Sequence, residues 1–283
     1  MTKTILQQEM INATWIQAIE NAWQDRELLS QPDVQHAIRG VIEALDTGLT
    51  RIAVSTDEGW QVNEWAKKAV LLYFLIQQTE IMEIGKLTFY DKIPLKHNFK
   101  ELGVRVVPPG IVRYGTCLRP GVIIMASYVN IGAYIGENTM IDIGAAVGSC
   151  AQLGKNIHLS AGAAIGGVLE PVQAKPVIVE DGVFIGAKCS VVEGIVVGRE
   201  AVLGANVTLT ASTHILDVTE PGEPKEYRGY IPERSVVIPG SYSKKFPAGE
   251  YAVPCALIIG RRTPNTDLKV SLNEVLRKFD LNL

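Results

Sequence analysis

From residue 129 the chain reads Val129-Asn-Ile-Gly-Ala-Tyr, Ile135-Gly-Glu-Asn-Thr-Met, Ile141-Asp-Ile-Gly-Ala-Ala, Val147-Gly-Ser-Cys-Ala-Gln, Leu153-Gly-Lys-Asn-Ile-His, Leu159-Ser-Ala-Gly-Ala-Ala and Ile165-Gly-Gly-Val-Leu-Glu. Each unit of six opens on an aliphatic residue. After a break, Val179, Ile185, Val191, Val197, Leu203 and Leu209 keep the same interval. An amphipathic helix repeats near 3.6 residues and a half-buried strand at 2, so neither accounts for a sustained six. A parallel β-helix does. Each unit supplies a short strand and a turn, three units make one triangular rung, and stacked rungs pair as parallel strands about 4.8 Å apart. The opening aliphatic of each unit points inward. Small residues four places on (Ala133, Thr139, Ala145, Ala151, Ala163) fit a crowded interior. Glycine recurs at the second place (Gly136, Gly148, Gly154, Gly166, Gly186, Gly198, Gly204), where the spacing predicts a tight turn that needs a relaxed backbone.

Working outward, the phase runs back through Ile123, Cys117 and Ile111, so the coil begins near Val104. Between Ile165 and Val179 it slips, and Glu170-Pro171 and Lys175-Pro176 bracket an outward loop near 170–176. A second excursion, near 217–233, is rich in proline, glycine and charge. Loops on a repeat scaffold commonly carry binding residues. The expected organisation is a mostly helical N-terminal domain over 1–102, a β-helix over 103–240, and C-terminal strands and a helix over 241–283. In the first part, Ile11, Trp15, Ile16, Ile19 and Trp23 have helical spacing. Pro32 and Gly48 punctuate a second helix. Arg51 to Val54 and Gly59 to Val62 read as a hairpin, and Asn63 as the cap of a third helix carrying Trp65, Ala69, Leu72 and Ile76. At the far end, Ser235–Pro239 and Tyr251–Gly260 read as strands and Ser271–Phe279 as an amphipathic helix. Both ends would cap a coil that otherwise invites further stacking.

At 283 residues and 47% hydrophobic the chain can bury a full core, while 20% charged residues and a net charge of −3 give no basic surplus for nucleic acid. Four cysteines (Cys117, Cys150, Cys189, Cys255) lack C-x-x-C spacing, so neither a disulfide framework nor a zinc knuckle is signalled. The most apolar helical stretch, Ala69 to Ile76, is too short to cross a bilayer, and no leader of signal-peptide type opens the chain. A cytoplasmic protein without membrane partners is expected. Phosphate-loop and dinucleotide-binding glycine motifs are absent from the sequence.

A hexapeptide coil says much about fold and little about chemistry. Three classes fit it: a CoA-dependent acyltransferase, a metal hydratase built on three histidines, and a non-catalytic scaffold. The hydratase is disfavoured, because only His158 and His214 of the four histidines lie in the coil and His36 and His97 are remote. No metal is expected.

More specific strings stand in order: Gly103-Val-Arg-Val-Val-Pro-Pro109, Ser127-Tyr-Val-Asn-Ile-Gly-Ala-Tyr134, Val147-Gly-Ser-Cys-Ala-Gln-Leu-Gly-Lys-Asn-Ile-His-Leu-Ser160, Ile165-Gly-Gly-Val-Leu-Glu-Pro171, Phe184-Ile-Gly-Ala187 and Val191-Val-Glu-Gly194. Together they closely resemble the tetrahydrodipicolinate N-succinyltransferases, over most of the chain. The resemblance implies a left-handed parallel β-helix and a homotrimer with active sites between neighbouring coils. It also implies succinyl transfer from succinyl-CoA to tetrahydrodipicolinate in lysine and diaminopimelate synthesis, with no permanently bound cofactor. An acetyl donor or another amine acceptor on the same scaffold is the alternative.

The water-opened acceptor presents an amine that must lose a proton to attack a thioester, so a carboxylate is needed beside it. Asp142 matches the family's acidic substrate-binding position and stands where glycine is the norm in this coil; spacing alone would allow a turn aspartate. Arg105 matches the substrate-binding arginine, whose fork fits a carboxylate. Glu193 is a second carboxylate candidate. Relatives carry an acid at the place of Ser190 and read Asp-Thr-Trp-Ala where this chain has Asp142-Ile-Gly-Ala145. Lys244, Lys245, Arg261 and Arg262 are the candidates for the CoA phosphates. His158 closes its unit at a corner and is expected to be structural.

Overall fold

The computed structural model describes the backbone of residues 2–262 and the side chains of residues 13–262. The expected helix at Ser271–Phe279 lies outside the described residues. Three helices open the chain: α1 (Thr2–Gln24), α2 (Pro32–Thr47) and α3 (Glu64–Ile76). Pro32 takes the first position of α2, and Gly48 ends it in the left-handed conformation. The hairpin pairs Ala53–Thr56 with Gly59–Val62. Asn63 precedes α3 but does not cap it with its side chain; its Nδ2 donates instead to Arg51 O at 2.7 Å. A second hairpin, Glu80–Ile84 with Leu87–Asp91, follows before the coil.

The coil then winds through three parallel sheets in turn. Face one carries Arg105–Val107, Ile123–Met125, Met140–Ile141, His158–Leu159, Phe184–Ile185 and Val202–Leu203. Face two carries Ile111–Val112, Tyr128–Val129, Ala146–Val147, Ala164–Ile165, Ser190–Val191 and Thr208–Leu209. Face three carries Cys117–Leu118, Tyr134–Ile135, Gln152–Leu153, Ile178–Val179, Val196–Val197 and Tyr230–Ile231. All thirteen aliphatics of the period are at most 2% exposed, and they belong to one core cluster. Ala133, Ala145, Ala151 and Ala163 are buried beside them, and Thr139 donates its hydroxyl to Gly154 O at 3.0 Å. Burying each such aliphatic contributes about 1.5–3 kcal/mol, so the stack supplies most of the coil's cohesion.

The second-place glycines have a different cause from the expected one. Left-handed backbone falls at the fourth place of the unit: Gly132, Asn138, Gly144, Cys150, Asn156, Gly162, Lys188 and Glu200 all have φ between 56° and 78°. The second place needs glycine for close approach. A Cβ on Gly148 would lie 2.1 Å from Gly167 N, against backbone that cannot move aside.

The helical domain rests on face three and the adjoining corner. Ile131 and Cys150 of the coil share one core with Ile38, Ile42, Val70 and Leu72. Arg51 lies 3.7 Å from the Tyr134 ring centroid and donates to Gln152 Oε1 at 3.1 Å. Lys96 pairs with Asp46 at 2.6 Å where both are nearly buried. The loop near 170–176 is held from the same side: Lys67, fully buried in α3, donates to Ala174 O at 2.6 Å and approaches Pro171 O at 3.4 Å.

At the far end two expectations change. The excursion near 217–233 is partly ordered as Ile215–Asp217 paired with Lys225–Tyr227, and Tyr230–Ile231 rejoins face three. The boundary at 240 runs through one continuous strand, Ser235–Phe246, which leaves face one and pairs antiparallel with Gly249–Arg261 as a long arm.

Candidate functional site

Asp142 follows the face-one strand Met140–Ile141 at the corner leading to face two. Two contacts fix its backbone. Ser127 Oγ donates to Asp142 O at 2.6 Å, and Asp142 N donates to Leu159 O at 2.8 Å. Its carboxylate accepts from Ile143 N at 2.7 Å through Oδ1, a local turn bond. Asp142 is half-buried, whereas Ile143 is 60% exposed and Gly144 is exposed. A Cβ on Gly144 would meet nothing within 4 Å, so the corner beside the carboxylate is open space.

Arg105 begins face one, two rungs below Met140 in the same outward column. Its Nη2 lies 3.9 Å from Met125 Sδ, and Met125 occupies the rung beneath Asp142. The fold thus brings Arg105 and Asp142 to one edge, with an exposed guanidinium and a half-buried carboxylate on either side of an apolar methionine. Ser127 and Met125 carried no signal of their own in the sequence. Only the string Ser127-Tyr-Val-Asn pointed there, and a strand register was needed to place both beside Asp142.

Glu193 is elsewhere. It stands on the corner between faces two and three, and its Oε2 accepts from Ala211 N at 3.0 Å, which closes the turn of the next rung. Ser190 faces outward on face two between Ala164 and Thr208. The structure therefore does not join Glu193 to Asp142 within one chain, and it gives Glu193 a structural task.

The four basic candidates form no single cluster. Lys244 and Lys245 are exposed near the tip of the arm, opposite Tyr251 and Glu250, whereas Arg261 pairs with Ser235 at its base. Nine residues of extended strand separate the two ends, about 30 Å. Arg261 donates to Asp217 Oδ2 at 2.7 Å, and Arg262 donates to Gly182 O at 3.2 Å. With their guanidinium groups so engaged, these two arginines are the weaker phosphate candidates.

The histidines are dispersed. His158 stacks on Phe184 on face one, with centroids 5.1 Å apart. His214 lies beyond face two, 3.0 Å from Glu226 and 4.5 Å from the Tyr242 ring. His36 meets Trp15 in the helical domain, and His97 Nδ1 lies 3.2 Å from Leu95 O. Among the described residues no group of three or more His, Cys, Asp or Glu side chains is placed to hold a metal ion, and no helix is long and apolar enough to cross a membrane. Burial pushes the Cys117 and Cys189 thiols up to about 11 and that of Cys150 up to about 12, and it raises Cys255 as well.

The coil of repeated sixes points to the class: residues 176–211 match the hexapeptide repeat of succinyl-transferase, and the chain is a hexapeptide-repeat acyltransferase. Residues 14–76 match the tetrahydrodipicolinate N-succinyltransferase N-terminal model. Proteins described as 2,3,4,5-tetrahydropyridine-2,6-dicarboxylate N-succinyltransferase from Polynucleobacter asymbioticus and Acinetobacter baylyi are each 46% identical, with 92% of this chain and 97% of theirs covered. The counterpart from Sodalis glossinidius is 44% identical over 93% of this chain and 98% of its own. The chain belongs to the tetrahydrodipicolinate N-succinyltransferase family. Among solved structures, a putative 2,3,4,5-tetrahydropyridine-2-carboxylate N-succinyltransferase from Campylobacter jejuni is 17% identical, with 79% of this chain and 62% of that one covered at a TM-score of 0.43.

Proposed function

We propose that the chain transfers succinyl from succinyl-CoA to the amine of hydrated, ring-opened tetrahydrodipicolinate, giving N-succinyl-2-amino-6-oxopimelate and CoA. It does so on the cytoplasmic route to diaminopimelate and lysine. The observation that carries this reading is the half-buried Asp142 carboxylate at an open corner, within a chain 46% identical to named members of the family. In the same reading the coil is a left-handed parallel β-helix. Three copies assemble so that the corner of one chain meets its neighbour, which shields the site from water.

The chemistry follows from the groups. Arg105 forks onto one carboxylate of the acceptor and fixes its orientation. Asp142 accepts the proton that the amine sheds. The amine nitrogen then attacks the thioester carbonyl carbon, a C–N bond forms, the C–S bond breaks, and the thiolate leaves and takes up a proton to become CoA. Half-burial strengthens the carboxylate's hold on the cationic amine relative to bulk water. Glu193, whose Oε2 accepts from Ala211 N, is the second carboxylate candidate. Lys244 and Lys245, free of short ion pairs among the described residues, are the better-placed basic residues for CoA phosphates; Lys244 Nζ meets only the Phe246 ring, at 5.6 Å.

The test is a donor comparison: purified protein is given succinyl-CoA or acetyl-CoA with 2-aminopimelate, and thiol release is followed. Turnover with succinyl-CoA at least tenfold above that with acetyl-CoA is expected. Equal rates would move the assignment to a general amine acyltransferase, and no release with either donor would leave the scaffold reading.

A further inference from the structure

The corner that holds Asp142 continues along the coil through Ser160-Ala-Gly162, Gly186-Ala-Lys188 and Gly204-Ala-Asn206. Successive turns are tied by Gly162 N to Ile143 O at 2.9 Å and Lys188 N to Ala161 O at 3.0 Å. Their left-handed residue is glycine at 144 and 162, but at 188 it is lysine, with φ 58°. A side chain in that conformation is disfavoured by about 1–2 kcal/mol. Other charged residues of the coil that accept it reach partners within the chain. Glu193 holds Ala211 N, and Glu200 and Arg234 pair with each other. Lys188 is exposed, and its ammonium has no hydrogen bond or ion pair among the described residues. The same backbone recurs on this corner at Ala126 (φ 48°) and Asn206 (φ 62°), so the conformation belongs to the turn; what sets Lys188 apart is an unpartnered ammonium on the edge that carries Asp142.

The direction of the side chain narrows that partner. A Cβ on Gly162 would lie 3.7 Å from Lys188 Cγ, so the stem leans over Gly162 toward the turn that carries Asp142. One turn further, Gly144 has open space above it. The vertical separation is two rungs, about 10 Å, much of which a four-carbon stem spans. The result is a notch with Asp142 and Gly144 at one end and a cation at the other.

We infer that Lys188 binds a carboxylate of the reacting molecules in this notch. The inference rests on the assignment of Asp142 to the acceptor site. Donor and acceptor together bring three carboxylates to a corner that already holds the negative Asp142. Arg105 can neutralise one of them. An unpaired carboxylate beside Asp142 would be repelled, and a second cation on the same edge removes that penalty. Two sources share this chemistry: the terminal carboxylate of the succinyl group and the second carboxylate of the acceptor.

The experiment compares Lys188→Met and Lys188→Arg with the parent protein, alongside Asp142→Asn, after circular dichroism and size-exclusion profiles show the fold retained. It measures KM for succinyl-CoA, KM for 2-aminopimelate and the inhibition constant of free CoA, which lacks the succinyl carboxylate. Lys188→Met should raise one KM roughly tenfold, leave the CoA constant unchanged, and be largely rescued by Lys188→Arg. A rise for succinyl-CoA identifies the donor's carboxylate, and a rise for 2-aminopimelate identifies the acceptor's. Both KM values within twofold of the parent would overturn the inference. So would succinyl-CoA and free CoA weakening together, because the contact would then be to the CoA arm. Parent-like turnover in Asp142→Asn would remove the site reading itself, and this inference with it.

Discussion

Lys67→Met offers a measurable consequence of how the 170–176 loop is held. Lys67 is fully buried, and its ammonium reaches two carbonyl oxygens, at 2.6 Å and 3.4 Å, with no carboxylate in hydrogen-bond contact among the described residues. Burial lowers its pKa from the ordinary 10.5, against smaller opposing influences of Cys150 and Glu64. Methionine keeps the unbranched stem and its packing but removes charge and donor. The charged bond to Ala174 O is worth about 1.5–3 kcal/mol, and the 3.4 Å contact adds little. Burial of the ammonium opposes this by a comparable amount. At pH 7 the variant should therefore differ from the parent by no more than about 1 kcal/mol. The sign of the pH dependence follows from linkage. A lysine whose folded pKa is depressed binds fewer protons folded than unfolded between its folded pKa and 10.5. The burial penalty is thus complete below the folded pKa and is relieved as pH rises toward 10.5, so the parent gains stability relative to the variant across that window. The gain is about 1.4 kcal/mol for each unit of depression. At the top of the window a neutral amine bond worth about 0.5–1.5 kcal/mol remains, and the variant is the less stable protein. Urea unfolding of both proteins at equal concentration from pH 7 to 10.5 tests this. A stability difference that stays flat with pH would refute the buried ammonium.

Arg105→Lys should raise the KM for 2-aminopimelate several-fold with a smaller change in kcat, because a lysine cannot make the bidentate contact; steady-state kinetics checks it. Gly148→Ala should fail to give soluble protein, since its Cβ would lie 2.1 Å from backbone, whereas Gly144→Ala should fold and lose only about 1 kcal/mol to its positive φ. Thermal melting of the two variants separates close approach from conformation. With thiols raised to about 11, 12 and 11, Cys117, Cys150 and Cys189 hold little thiolate at pH 8 and should be nearly inert to Ellman's reagent in the native protein, reacting promptly on unfolding.

Much of the coil was legible because its period is set by one repeated physical demand, an aliphatic facing inward on every strand. The left-handed fourth position was not legible, because asparagine, glutamate, cysteine and lysine share it with glycine. The second-place glycines were legible as a pattern, but their cause lies in the neighbouring rung, which only stacking reveals. The hairpin at Glu80–Ile84 and Leu87–Asp91 went unread, because apolar residues are exposed along both of its strands (Ile81, Ile84, Leu87, Tyr90) and the usual alternation is blurred. At the candidate site, Asp142 stood out as an acid in a glycine position, and Arg105 through its surrounding string. Their shared edge depends on the register Arg105↔Ile123↔Met140. Glu193 was a second carboxylate candidate from the sequence, and its hydrogen bond to Ala211 N is long-range information.

The central claim is that one carboxylate at an open corner takes the amine's proton. Asp142→Asn isolates it, because the amide oxygen can still accept from Ile143 N and keep the turn, while the variant lacks a base. Thiol release from succinyl-CoA with 2-aminopimelate should fall by about 10²–10⁴ in kcat, with the size-exclusion profile and melting temperature retained. A folded Asp142→Asn protein turning over within a few-fold of the parent would contradict the account.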